Sequence, residues 1–191
     1  MNWETLLCAG DSITIGARSY LSYPEYCGDF LSKETRKHWN VVNHAMPALM
    51  TIDLARSIDK NFAALKGIRP DVATILVGTN DLKSDVSPGI FKIAYSLLVL
   101  KIRLIVGNNN VILIEIPKLK NGVMLPYRID MNQKVLEYNA IIREIAGEEG
   151  MISAPIECDD NCFFDGVHLN EQGSEVFGKQ LADQILKLRT G

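Results

Sequence analysis

Histidine and cysteine are scarce in this chain, and a surplus of either charge is missing. Four cysteines, Cys8, Cys27, Cys158 and Cys162, among 191 residues are too few for the disulfide framework of a small secreted domain. Cys158 and Cys162 are close in sequence, but two thiols with no second ligand pair make a poor zinc site. Reduced thiols without a zinc site are therefore expected. The first residues, Met1-Asn2-Trp3-Glu4, lack a basic stretch, and the apolar run behind them is too short for a signal peptide, so a cytoplasmic protein is expected. With 20 basic against 23 acidic residues the formal net charge is -3, which gives no broad attraction to nucleic acid or anionic membranes. The most apolar window, residues 90–106, is interrupted by Lys92, Lys101 and Arg103 and falls short of an uncharged span. It reads as a buried helix, with Leu97, Leu98, Leu100 and Ile102 as core residues rather than a lipid-binding stripe. No internal repeat or low-complexity linker is visible.

The remainder is ordinary for a globular protein: 47% hydrophobic and 23% charged. Its length fits a single domain over residues 1–191 with a substantial core. Apolar runs at 5–9, 41–43, 72–77, 111–116 and 151–156 read as buried strands. Helical patterns lie between and after them at 23–35, 51–65, 88–106, 132–149 and 171–188, with Pro24 suited to a first helical turn. This alternation argues for an α/β protein with a parallel sheet covered on both faces, a three-layer α/β/α sandwich.

Two short blocks at opposite ends carry the chemistry. Gly10-Asp11-Ser12-Ile13-Thr14 follows the first strand, and Asp165-Gly166-Val167-His168 precedes the last helix. A serine hydroxyl needs a base to take its proton, and the base needs a partner to fix its tautomer and stabilise its cation. Ser12, His168 and Asp165 can fill these roles. The order Ser, Asp, His matches the α/β-hydrolases, but Gly10-x-Ser12-x-Thr14 lacks the second glycine of their nucleophile elbow.

Two further blocks lie between them, Asn43-His44-Ala45-Met46-Pro47-Ala48 and Gly78-Thr79-Asn80-Asp81. With all four in this order, the chain resembles the SGNH hydrolases, the GDSL esterase/lipase family, over nearly its whole length. The resemblance implies a flavodoxin-like five-stranded sheet, with Ser12 as nucleophile, His168 as general base and then acid, and Asp165 as orienter of the imidazole. It also implies an oxyanion hole from the backbone N–H groups of Ser12 and Ala48 and the side-chain amide of Asn80. The sequence departs from the family at Ala45 and Ala48, where glycines are usual. Alanine keeps the backbone donor but disfavours positive φ.

In such sheets ligands bind beyond the carboxyl ends of the strands, so the first three blocks should reach one rim. The long connection 117–130 holds Met124, Leu125 and Tyr127. It is either a wall of the substrate site contacting the acyl or leaving group, or a surface flap tied down by its own side chains. Asp11 and Asp81 read as loop braces, His38 as a surface residue and His44 as a structural hydrogen-bonding one. The resulting expectation is a serine hydrolase of short-chain carboxylic esters, such as acetyl esters of carbohydrates, with no metal or organic cofactor and a small-molecule ester as its partner. Thioesters or lysophospholipids, an acyltransferase, and a non-catalytic binding relic of the fold are the alternatives. The sequence leaves the oligomeric state open.

Overall fold

Alternate residues along the strands feed two separate cores, and this fixes the layers. In the computed structural model, which describes residues 3–107, 110–155 and 157–190, five strands pair in parallel: β1 (Trp3–Gly10), β2 (His38–Ala45), β3 (Val72–Leu76), β4 (Val111–Ile114) and β5 (Ile152–Ala154). Their order is β2-β1-β3-β4-β5, the flavodoxin-like arrangement whose switch point lies between β1 and β3. Because strand side chains alternate faces, Leu7, Ala9, Ala73, Ile75, Val111 and Leu113 join one core. Leu6, Cys8, Val72, Leu76, Ile112 and Ile114 join the other.

The helices, in chain order, are α1 (Ser12–Ile15), α2 (Tyr23–Thr35), α3 (Thr51–Lys60), α4 (Phe62–Gly67), α5 (Thr79–Lys83), α6 (Pro88–Val106), α7 (Asn132–Glu149) and α8 (Glu171–Thr190). Helices α3, α4, α6 and α7 cover the first face through Leu54, Leu65, Tyr95 and Tyr138. Helices α2 and α8 cover the second through Tyr23, Leu31, Phe177 and Leu181. The expected sandwich is the fold observed.

Some boundaries differ from the sequence reading. Strand β2 runs well beyond 41–43, because it is an edge strand on which the polar residues His38 and Asn40 face outward while Trp39 is buried. The helix expected over 51–65 breaks at Asn61, whose side-chain amide donates back to the Ser57 carbonyl at 2.9 Å, a local bond that competes with helix continuation. Ile156, the last residue of the expected fifth strand, lies outside the described residues. So do residues 1, 2, 108, 109 and 191 of the expected 1–191 domain.

Helix α6 buries Leu98 and Ile102 as expected, but Leu97 and Leu100 are exposed. That corrects the reading of all four as core residues: the sheet covers one face of the helix, and α3 and α7 flank it without covering the other. Among the described residues no helix is long and apolar enough to cross a membrane.

Candidate active site

Strand β1 runs without side-chain freedom into the first block. A Cβ on Gly10 would lie 2.0 Å from Thr14 Oγ1 and 2.6 Å from the Leu76 carbonyl oxygen, so only glycine lets the chain turn this tightly into α1 against β3. Asp11 caps α1 by accepting the Ile13 N–H on Oδ1 at 3.0 Å. Ser12 thereby becomes the first helical residue, where backbone N–H groups have no intrahelical partner. From the edge strand, Asn43 donates to the Thr14 carbonyl at 3.0 Å and pins the far side of the same turn.

Asp165 and His168 arrive on a tight loop closed by Phe164 N–H donating to the His168 carbonyl at 2.8 Å. Gly166 turns the chain with φ +79°, and a Cβ there would sit 3.0 Å from the Lys120 carbonyl oxygen. This turn folds the Asp165 carboxylate back on its own backbone. Oδ1 accepts the N–H groups of Val167 at 3.1 Å and His168 at 2.8 Å, and Oδ2 lies 2.8 Å from His168 Nδ1. Partial burial works to raise the carboxyl's pKa, but these bonds outweigh it and hold it below the ordinary range.

The opposite ring nitrogen, His168 Nε2, is 2.9 Å from Ser12 Oγ across 156 residues of sequence. Hydroxyl, imidazole and carboxylate thus form one continuous chain of hydrogen bonds. With Nδ1–H donated to the carboxylate, Nε2 is left as an acceptor for the hydroxyl proton. The arrangement can remove that proton and stabilise the cation that results.

Asn80, near the start of α5, is buried beside this chain. Its Nδ2 donates to the Leu49 carbonyl at 3.0 Å and, at the long distance of 3.4 Å, to Asp11 Oδ2. The Tyr127 hydroxyl donates to Asn80 Oδ1 at 3.3 Å, which fixes which way the amide faces. Sequence reasoning left Tyr127 in either a substrate wall or a surface flap, and missed this contact. No sequence signal could have revealed it, since the two residues come from unrelated loops. Met124 and Leu125, from the same connection, are exposed.

Ala48 is exposed and adopts φ +64°, the left-handed region in which glycine is the easy residue. Ala45 is different: it ends β2 in regular pairing with Gly10 and needs no glycine.

Two acids near the rim are deeply buried. Burial, aided by the charge of Asp81, raises the Asp11 carboxyl to about 7. Asp81, likewise desolvated, is raised to about 6, although it accepts the Thr51 N–H at 2.9 Å and hydroxyl at 3.1 Å. Both act as the loop braces expected of them. His44 pairs through Nε2 with Ser57 Oγ at 3.0 Å, and His38 is exposed. All four cysteines are free thiols. Among the described residues no cluster of three or more His, Cys, Asp or Glu side chains could hold a metal ion.

Solved structures share this fold at low sequence identity. An aryl esterase from M. smegmatis superposes with a TM-score of 0.79 at 18% identity, covering 97% of this chain and 99% of that one. An acetylxylan esterase from Geobacillus stearothermophilus gives 0.77 at 20% identity, with 95% and 94% covered. A lipase/acylhydrolase from Enterococcus faecalis gives 0.74 at 20% identity, with 95% of each chain covered. No curated protein sequence matches the chain significantly. The family model described as the GDSL-like Lipase/Acylhydrolase family matches residues 8–176. That span includes all four sequence blocks, and the chain belongs to this family.

Proposed function

We propose that the protein is a serine ester hydrolase acting on short-chain carboxylic esters, acetyl esters of carbohydrates among them, through an acyl-serine intermediate. The observation that carries this reading is the unbroken relay from Ser12 Oγ through both nitrogens of His168 to Asp165, at 2.9 and 2.8 Å. Membership of an acylhydrolase family and a fold shared with an acetylxylan esterase support it.

Ser12 Oγ attacks the ester carbonyl carbon while His168 Nε2 takes the hydroxyl proton, and the carbonyl oxygen becomes negative. Its charge is met by the backbone N–H groups of Ser12 and Ala48 and by the Asn80 amide. The amide hydrogen leaning on Asp11 is the longer-held of the two and the one released to the oxyanion. His168 then returns the proton to the departing alcohol, leaving acyl-Ser12. Water, deprotonated by the same nitrogen, attacks the acyl carbon, and His168 returns that proton to Ser12 Oγ as the acid leaves. Tyr127 sets the orientation of the Asn80 amide, while Met124 and Leu125 on the same connection face solvent where an acyl or alcohol group approaches.

A fluorophosphonate probe should label one residue, Ser12, as mapped by peptide mass. Nitrophenyl esters graded from acetate upward should be cleaved fastest at the short end. No labelling, or labelling elsewhere, would sink the nucleophile assignment, and preference for long chains or acyl thioesters would sink the substrate class. Product analysis with added acceptor alcohols separates hydrolysis from acyl transfer.

A further inference from the structure

Five large apolar residues form a stripe along the outward face of α6, with Ser96 and Arg103 exposed beside it. Ile90 is 62% exposed, Ile93 73%, Leu97 40%, Leu100 51% and Leu104 52%. Their spacing of three, four, three and four residues is the a/d repeat by which helices pack on one another. Isolated exposed leucines need no explanation, but a continuous stripe of this kind marks an interaction surface. The three cations of α6 itself are each paired with an acid of this chain: Lys92 with Glu144, Lys101 with Asp59, and Arg103 with Glu149. These pairs leave no excess of positive charge on α6 to draw it to an anionic lipid surface, and the stripe itself carries no charge to repel a copy of itself.

We infer that this face is the contact between two copies of the chain, packed α6 against α6 in antiparallel fashion about a two-fold axis through Leu97. The stripe is close to symmetric about that residue, to within one position. Ile90 and Leu104 lie seven positions to either side, and Ile93 and Leu100 lie four and three positions away. An antiparallel two-fold therefore sets Ile90 against the second copy's Leu104, Leu97 against itself, and Ile93 within one residue, about 1.5 Å, of the second copy's Leu100. Each copy presents the same patch, as an isologous interface requires, and the opposed helix dipoles are favourably arranged.

The size also fits. Taking a large aliphatic residue as about 200 Å² of surface, complete covering of the five exposed fractions buries at most roughly 500 Å² per copy, or about 1,000 Å² in all, which just reaches the threshold of a specific interface. The stripe is about 21 Å long, enough for ridges-into-grooves packing near 20°.

Sedimentation equilibrium tests the contact without reference to Ser12 or to ester cleavage. The wild-type chain should give twice the single-chain mass of 21.3 kDa at micromolar concentration. Leu97→Glu, which sets two like charges on the axis, should weaken association about 100-fold or more and give the single-chain mass with an unchanged circular dichroism spectrum. Ile93→Glu and Leu100→Lys should each do the same, whereas the double variant should dimerise again, because each Glu then faces the other copy's Lys. A wild-type chain that remains single at every concentration, or a Leu97→Glu variant that remains paired, overturns the inference. A double variant that stays single overturns the antiparallel register. A single chain that floats with phosphatidylcholine vesicles shows that the stripe serves lipid instead.

Discussion

Both amide hydrogens of Asn80 are engaged inside the protein, one firmly on Leu49 and one loosely on Asp11. If Asn80 serves an oxyanion, Asn80→Ala should lower kcat by about 100- to 1,000-fold with a smaller effect on KM, as loss of a preorganised donor does. Tyr127→Phe removes only the bond that orients the amide and should cost roughly three- to ten-fold in kcat, in line with one neutral hydrogen bond. An effect of Tyr127→Phe on KM alone would assign the tyrosine to substrate contact instead. Steady-state kinetics on nitrophenyl acetate decide between these. For the relay itself, Ser12→Ala and His168→Ala should each remove most of kcat, about a thousand-fold or more, and the double variant should be little worse than either, as groups acting as a unit behave. Multiplicative losses would contradict a shared proton path. Ala48 supplies a separate test. A non-glycine residue in the left-handed region costs about 1–2 kcal/mol, and glycine's extra chain entropy returns part of that. Ala48→Gly should therefore raise stability by up to about 1 kcal/mol and Tm by roughly 2–4 °C, measured by thermal unfolding.

At the scale of elements, α7 acts on the segment that follows β4 as a neighbouring strand would. Asn139 accepts the Ile116 N–H at 2.8 Å and donates to the Ile116 carbonyl at 3.0 Å. Asn132, seven residues earlier on the same face, does the same for Leu119 at 2.8 and 2.9 Å. Lys120 N–H then donates to the Gly166 carbonyl at 2.9 Å, tying this segment to the loop that carries His168. Asn139→Leu should orphan two buried backbone groups at once and destabilise by about 2 kcal/mol or more, lowering Tm by roughly 5 °C; unchanged unfolding would mean the segment relaxes to other partners. These clamps also show where the sequence was silent. The limits of α2, α6 and α7 were legible because their ends carry local signals: Pro24 and Pro88 in first turns, and Gly107 and Gly150 in left-handed caps. Helix α5, with five residues, is too short to show a period. In sequence Asn132 and Asn139 look like any polar residues on a solvated helix face. The meeting of Ser12, Asp165 and His168 was legible because each lies in a recognisable block at a strand or helix end. The Tyr127 bond to Asn80, 47 residues apart, depends on how two loops pack.

For the whole molecule, the buried acids impose a pH dependence on folding. Asp11 is raised to about 7 by burial, against an ordinary value of about 3.9. Between roughly pH 4 and 7 the folded state therefore holds a proton that the unfolded chain has released, and stability falls as pH rises through that window, then levels off. Asp81, raised to about 6, adds to the decline over its lower part. Asp165 acts oppositely: held below the ordinary range, its contribution is lost on acidification below about pH 4. Urea midpoints should accordingly decrease from mildly acid to neutral pH, and Asp11→Asn should flatten most of that slope. A slope unaltered in the variant would place the titration elsewhere.

The bond between Ser12 and His168 joins the loop after β1 to the loop before α8, so it can close only once the two ends of the fold have come together. With Ser12 as the proposed nucleophile, an irreversible serine-directed reagent would then report this long-range closure rather than mere secondary structure. Counting labelled molecules during refolding would give a direct yield of fully native chains, and a lag between regained helicity and regained labelling would time the docking of α8.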